Sequence, residues 1–311
     1  MAGPRQPRVP GVKHRRVDIG GLRLHVAEAG EGDPLILLHG WPQHWWCWRH
    51  LIPRLAESHR VLAVDLRGWG WSDAPGGSYS KPAFAADILA LLDAEGLDRV
   101  RLIGHDWGGF TSFLLALDHP DRVERMVALD IAPPWLDGPR PRHLALPLAG
   151  SYQALVGAPL LGPALMTSGN AFIRNFIRGG SGPDMQWTEK ELDVYASVLR
   201  EPARARASSA CYRTFLTREL ARFALRGYSP DDLRVPALLV MGGESGLKRV
   251  LDPQPHRNLR VEEIDGAGHF LPEEAPDEVL ALAEPFLSGG GAAARREYAG
   301  GSSYSRGMSA R

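Results

Sequence analysis

A chain of 311 residues, 44% of them hydrophobic, is long enough to bury a large core, as one large domain or as a domain carrying an insertion. Its 36 Lys and Arg balance 36 Asp and Glu, so no net field draws it to nucleic acid or to an anionic membrane. Two cysteines, Cys47 and Cys211, are too few and too far apart for a zinc site or a disulfide framework, and no run approaches the roughly eighteen apolar residues of a membrane span. A metal-free, cytoplasmic protein with two buried, reduced thiols is expected.

Arg5, Arg8, Lys13, Arg15 and Arg16 of the first sixteen residues read as a solvated basic arm, flexible over residues 1–13, and no apolar run follows it as a secretory signal would require. Alternation in Arg15 to Ile19 and Leu22 to Val26, across Gly20 and Gly21, predicts a β-hairpin. Apolar runs at Leu35 to Leu38, Val61 to Val64, Val100 to Ile103, Met126 to Leu129 and Ala237 to Met241 have the character of strands buried on both faces. Helical segments between them, Pro82 to Glu95 and Phe110 to Leu117, predict right-handed βαβ units and a mostly parallel sheet.

That rhythm breaks between Leu129 and Ala237, a gap far longer than a crossover needs. Tyr152 to Met166, Thr188 to Leu199 and Ala203 to Phe223 are helical in composition and period, with Gly-Pro punctuation at 157–163 and 179–183. The expected organisation is an α/β core in two parts, 14–134 and 229–287, a helical cap at 135–228 over the carboxyl edge of the sheet, and a Gly/Ser-rich disordered tail at 288–311.

The most informative stretch is Gly104-His105-Asp106-Trp107-Gly108-Gly109, between a strand and a helix. The glycines let the helix start tightly against the strand while the central residue is pushed outward, the setting of a nucleophile elbow, here carrying Asp106. A carboxylate is a poor acyl nucleophile but a competent one for displacement at saturated carbon, which would leave an alkyl ester on the enzyme and expel an epoxide oxygen or a halide. As a turn or N-cap residue, Asp106 would have no such role.

A base must then activate water to cleave that ester. His269, in Gly268-His269-Phe270 after the predicted last strand Leu259 to Ile264, is the candidate general base. Asp130, at the end of Met126 to Leu129, is favoured as its carboxylate partner over Glu244, which lies in a glycine loop after Met241. Backbone N–H groups of Trp41, after His39 and Gly40, and of Trp107 are candidates for an oxyanion hole. Trp41, Trp107 and Phe270 are expected to line an apolar pocket. Epoxide opening also needs an acid at the oxygen, and the predicted cap helices offer Tyr152 and Tyr212.

These residues resemble the α/β-hydrolase-fold epoxide hydrolases over about residues 14 to 287. The resemblance rests on His39-Gly40-Trp41-Pro42-Gln43, Arg67 to Ser72, the elbow, Ser151-Tyr152-Gln153, Cys211-Tyr212-Arg213 and Gly268 to Glu274. It implies that Tyr152 and Tyr212 polarise the epoxide oxygen and that no cofactor is needed. Two departures stand out: Gly246, with Glu244 nearby, replaces the relay aspartate common in the family, which supports Asp130, and bulky Trp71 is expected to narrow the pocket. The expected reaction is hydrolysis of a small apolar epoxide to a vicinal diol. Two alternatives stand beside it: a haloalkane dehalogenase using the same aspartate, and a non-catalytic binding module. A fluoroacetate-type dehalogenase is disfavoured, because Trp107 and Phe110 stand where that group places arginines. Oligomeric state is not legible in the sequence.

Overall fold

The computed structural model describes residues 4–135, 151–248, 251 and 253–289. The tail expected to be disordered lies, from residue 290, outside the described residues, as does the first part of the expected cap, 136–150.

Eight strands form one sheet: β1 (Lys13–Asp18), β2 (Arg23–Ala29), β3 (Asp33–Leu38), β4 (His59–Val64), β5 (Val100–His105), β6 (Val123–Leu129), β7 (Ala237–Gly242) and β8 (Leu259–Ile264). Their order is β1-β2-β4-β3-β5-β6-β7-β8, with β2 antiparallel to both neighbours and β3 to β8 parallel. Every residue of β7 is buried, the burial expected where helices cover both faces of a sheet. After α1 (Ile52–Leu55) comes α2 (Lys81–Ala94), which starts where the Ser80 hydroxyl accepts the Ala83 N–H. α3 (Trp107–Asp118) packs along β5 and β6, and near the end of the chain α10 (Leu271–Glu274) leads into α11 (Pro276–Leu287).

Between β6 and β7 the described part of the insertion is helical throughout: α4 (Ser151–Gly157), α5 (Leu161–Thr167), α6 (Ala171–Gly180), α7 (Glu189–Leu199), α8 (Pro202–Thr214), a π-helical turn (Phe215–Glu219) and α9 (Leu220–Arg226). The single helix expected over 152–166 is split in two, because Gly157 and Pro159 break it before α5 begins. Helix α6 was not expected, although Phe172, Ile173, Phe176 and Ile177 carry its period. The insertion docks on the core through Trp69 Nε1 to Ser208 Oγ at 2.9 Å, Arg204 to the Ser72 carbonyl at 2.9 Å, and Tyr195 to Glu273.

The basic segment differs from the solvated arm expected. Arg15 pairs with Glu28 and Glu95, both at 2.6 Å, Gln6 meets His25, and the Pro4 carbonyl accepts the Trp71 indole N–H at 3.3 Å. The acidic partners lie on β2 and at the end of α2, too distant in sequence for charge counting to pair them.

Candidate active site

Asp106 ends β5 and Asp130 ends β6, and these are the two non-glycine residues with positive φ among the described residues, at 48° and 42°. Such backbone is costly and persists only where its surroundings impose it. At Asp106 the imposing element is the close start of α3. A Cβ at Gly108 would stand 1.9 Å from the Leu38 carbonyl oxygen, so only glycine lets the helix meet β3 there. The Asp106 N–H is spent on the Leu129 carbonyl at 3.1 Å, which fixes the backbone while the side chain projects beyond the sheet edge.

The carboxylate is nearly buried. Its Oδ2 accepts the Trp41 N–H at 2.9 Å, and a Cβ on Gly40 would collide with the Asp106 side chain at 2.3 Å. Burial raises the Asp106 pKa, while the His269 charge and the N–H groups of Trp41 and Trp107 pull it the other way. Both expected oxyanion donors therefore act on the carboxylate itself.

His269 Nδ1 lies 2.6 Å from Asp130 Oδ2. Because a carboxylate only accepts, Nδ1 carries the proton in the neutral ring, which leaves the Nε2 lone pair free in that form. Asp130 is fully buried, and its oxygens also accept the Ser245 hydroxyl at 2.6 Å and the Gly242 N–H at 3.1 Å. Burial lowers the His269 pKa, but the hydrogen bond and charge of Asp130, with Asp106 and Glu274 behind them, leave it raised overall. Glu244, the alternative partner, is solvent-exposed, and its N–H donates to the Ala267 carbonyl at 2.9 Å.

The loop carrying His269 is itself held. Its N–H donates to the Gly180 carbonyl at 2.8 Å, and its carbonyl accepts His105 Nε2 at 2.8 Å. Burial, then the neighbouring His269 charge, keeps His105 well below the usual histidine range and hence neutral. Glu274 accepts three backbone N–H groups, from Gly182, Gly268 and Phe270, at 2.6 to 2.8 Å. Ser245 and His105 were not singled out in the sequence, although they adjoin two residues that were, Glu244 and Asp106.

Tyr152 on α4 and Tyr212 on α8 meet with ring centroids 5.7 Å apart, and both rings pack on Trp41, at 6.3 and 5.2 Å. Tyr212 also packs on Trp107 at 5.7 Å. Tyr212 is fully buried, and its hydroxyl makes no hydrogen bond of full geometry, although the Trp107 indole N–H and the Tyr152 hydroxyl stand close enough to interact with it; the indole N–H of Trp41 is unpartnered. Burial raises the Tyr152 hydroxyl to about 12 and holds the Tyr212 hydroxyl well above the usual phenol range, and the Asp106 carboxylate contributes to both shifts.

Of the other aromatic residues singled out, Phe270 packs on His105, His269 and Trp187. Trp71 packs on His25 and His44 and bonds to the Pro4 carbonyl, so its bulk fills the junction with the N-terminal segment. Phe176, not foreseen, joins Trp41 at 4.7 Å and Tyr152 at 4.8 Å. Cys47 and Cys211 are both free and buried. Among the described residues no group of His, Cys, Asp and Glu could hold a metal ion, and no helix is long and apolar enough to cross a membrane.

Residues 33–276 match the model of the alpha/beta hydrolase fold family. The soluble epoxide hydrolase of Corynebacterium sp. (strain C12) is 33% identical over 284 residues, spanning 89% of this chain and 98% of that protein. A fluoroacetate dehalogenase from Burkholderia sp. is 32% identical over 292 residues, spanning 89% of this chain and 94% of that protein. Among solved structures, the ligand-free epoxide hydrolase CorEH superposes with a TM-score of 0.78 at 32% identity, covering 89% of this chain and 99% of that one. With an Asp-bearing elbow on a mostly parallel sheet and relatives matched over nearly their whole length, the chain belongs to the alpha/beta hydrolase fold family.

Proposed function

We propose that this protein hydrolyses small apolar epoxides to vicinal diols through an ester on Asp106. The observation that carries this reading is the pair of cap tyrosines gathered over Trp41 and Trp107, with the Tyr212 hydroxyl buried and without a hydrogen bond of full geometry beside a buried carboxylate. A buried hydroxyl without a well-formed hydrogen bond is costly, and an epoxide oxygen would satisfy it.

In the first step an Asp106 oxygen attacks a ring carbon, the carbon–oxygen bond breaks, and the released oxygen takes a proton from the tyrosine pair. A phenol at about 12 stays protonated at neutral pH and can donate. In the second step His269 Nε2 takes a proton from water and the hydroxide adds to the ester carbonyl carbon. Trp41 and Trp107 N–H groups hold the oxyanion, and Asp130 steadies the imidazolium. Collapse releases the diol and restores the Asp106 carboxylate, and the proton held by His269 returns through solvent to the tyrosine pair, which leaves every group as it began.

One observation favours a second reading. The Trp107 indole N–H, which makes no hydrogen bond of full geometry, could hold a leaving halide, as in a haloalkane dehalogenase, and a fluoroacetate dehalogenase is among the relatives. Against fluoroacetate itself, Trp107 and Phe110 are aromatic and pack on each other at 6.2 Å, offering no cation to a substrate carboxylate. The test is the intact mass of a His269→Gln variant exposed separately to styrene oxide and to a bromoalkane. An adduct from the epoxide that disappears in Asp106→Ala is expected; an adduct from the bromoalkane alone would replace this reading by the dehalogenase, and none from either would favour a binding module.

A further inference from the structure

A buried cation joins the core half of the site to the cap half. Lys81, in the first turn of α2, is fully buried; its backbone N–H donates to Glu219 Oε1 at 2.8 Å, and its Nζ makes an ion-pair contact with Glu219 Oε2 at 3.0 Å. The same ammonium donates to the Cys211 carbonyl at 3.3 Å and stands 3.5 Å from Cys211 Sγ. It also lies 4.1 Å from the ring centroid of Trp107 and 4.9 Å from that of Phe215. Cys211 precedes Tyr212 and Trp107 follows Asp106, so one charge touches the neighbour of each.

A buried ion pair adds little net stability over apolar residues of the same volume; its best-attested use is to fix one arrangement against alternatives. The local helix geometry points the same way. Glu219 reaches Lys81 from the π-helical turn that interrupts the helix after Tyr212, and Phe215 in that turn packs on Trp107 at 4.9 Å. Such turns are rare and recur at functional sites. The Tyr212 hydroxyl makes no hydrogen bond of full geometry, so its position is set by the helix that carries it and by the rings around it.

We infer that Lys81, paired with Glu219, is a positioning residue that locks α8 against the elbow so that the Tyr212 hydroxyl is held for ring opening. The inference rests on the epoxide reading. It acts on ester formation and leaves ester breakdown alone, because Asp130 and His269 are held by strand ends and by Ser245, Gly242 and Gly180.

The test uses Lys81→Met combined with Glu219→Gln, which removes both charges and keeps an acceptor for the Lys81 N–H. Ester formation is timed by mass in a His269→Gln background, ester breakdown is timed with His269 intact, and the melting temperature is recorded. The double variant should melt close to its parent, form the ester about ten- to a hundredfold more slowly, and break it down at a rate within about twofold of the parent. Adding Tyr212→Phe should cost little more, since the two changes remove the same contribution.

Ester formation at the parent rate in the folded double variant, equal slowing of both steps, or a fully additive loss with Tyr212→Phe would overturn the inference. Should the double variant not fold, Glu219→Gln alone, which keeps that acceptor, must give the same split between steps. Failure of the parent itself to form an ester with any epoxide, or an unslowed Tyr212→Phe, would overturn the epoxide reading and the inference with it; a normal parent with an indifferent Lys81 overturns the inference alone.

Discussion

The core and cap halves of the site are built in opposite ways. In the core, Asp106 and Asp130 sit on strained backbone at the ends of adjacent parallel strands, and their oxygens accept several short hydrogen bonds. In the cap, Tyr152 and Tyr212 sit on ordinary helices, are oriented by aromatic packing, and in Tyr212 leave a buried hydroxyl without a hydrogen bond of full geometry. In the core half the two carboxylates are preorganised and already hydrogen-bonded, whereas in the proposed reaction the cap half is completed by an acceptor that the substrate supplies. Groups that are fixed in advance suit the attack and the water-activating step; groups with unused hydrogen-bonding capacity suit recognition of an oxygen that becomes charged during the reaction.

The contrast breaks most visibly at the nucleophile. Asp106→Asn should lower diol production on the order of 10⁴-fold or more, with no covalent adduct detectable by mass. Retained turnover would remove Asp106 from the chemistry. His269→Gln comes next: ester breakdown should slow by roughly 10² to 10⁴-fold while ester formation continues, so the adduct accumulates.

The cap half should behave as the mirror image. Tyr212→Phe should slow ester formation by about a hundredfold, and more than Tyr152→Phe does, because Tyr212 is fully buried without a hydrogen bond of full geometry while Tyr152 is half-buried. A larger effect on ester breakdown, read by rapid quench, would contradict the division of labour.

Acidity sharpens the same comparison. His269 must be neutral to accept a proton, and its pKa is raised above 6.5 chiefly by Asp130, so ester breakdown should fall as pH drops through a value above 6.5. In Asp130→Asn burial acts against less opposition, and the acid limb of the profile should move to lower pH while the plateau falls. A limb that stays in place would detach Asp130 from His269. The smallest expected effect is Ser245→Ala, about tenfold or less and confined to ester breakdown, since Asp130 keeps its bond from Gly242.

The residues of the proposed core half, Asp106, Asp130 and His269, could be singled out in the sequence because each stands at local punctuation, where an apolar run meets glycines or prolines. The strands matched for the same reason, since burial on both faces writes an unbroken apolar run. Elsewhere the decisive contacts join distant residues. Lys81 meets Cys211 and Glu219, Glu274 gathers N–H groups from Gly182 and Gly268, and Arg15 finds Glu95, pairings that no local pattern announces. Phe270 shows the converse limit: adjacency to His269 in sequence does not say which side of the loop its ring takes.

The most direct test of the account is one turnover with enzyme in excess over an epoxide, run in heavy-oxygen water. An ester on Asp106 cleaved at its carbonyl carbon predicts an unlabelled diol and the heavy oxygen in the peptide containing Asp106. Heavy oxygen in the diol of that first turnover, with none in the peptide, would mean that water attacks the epoxide directly and would contradict the covalent mechanism.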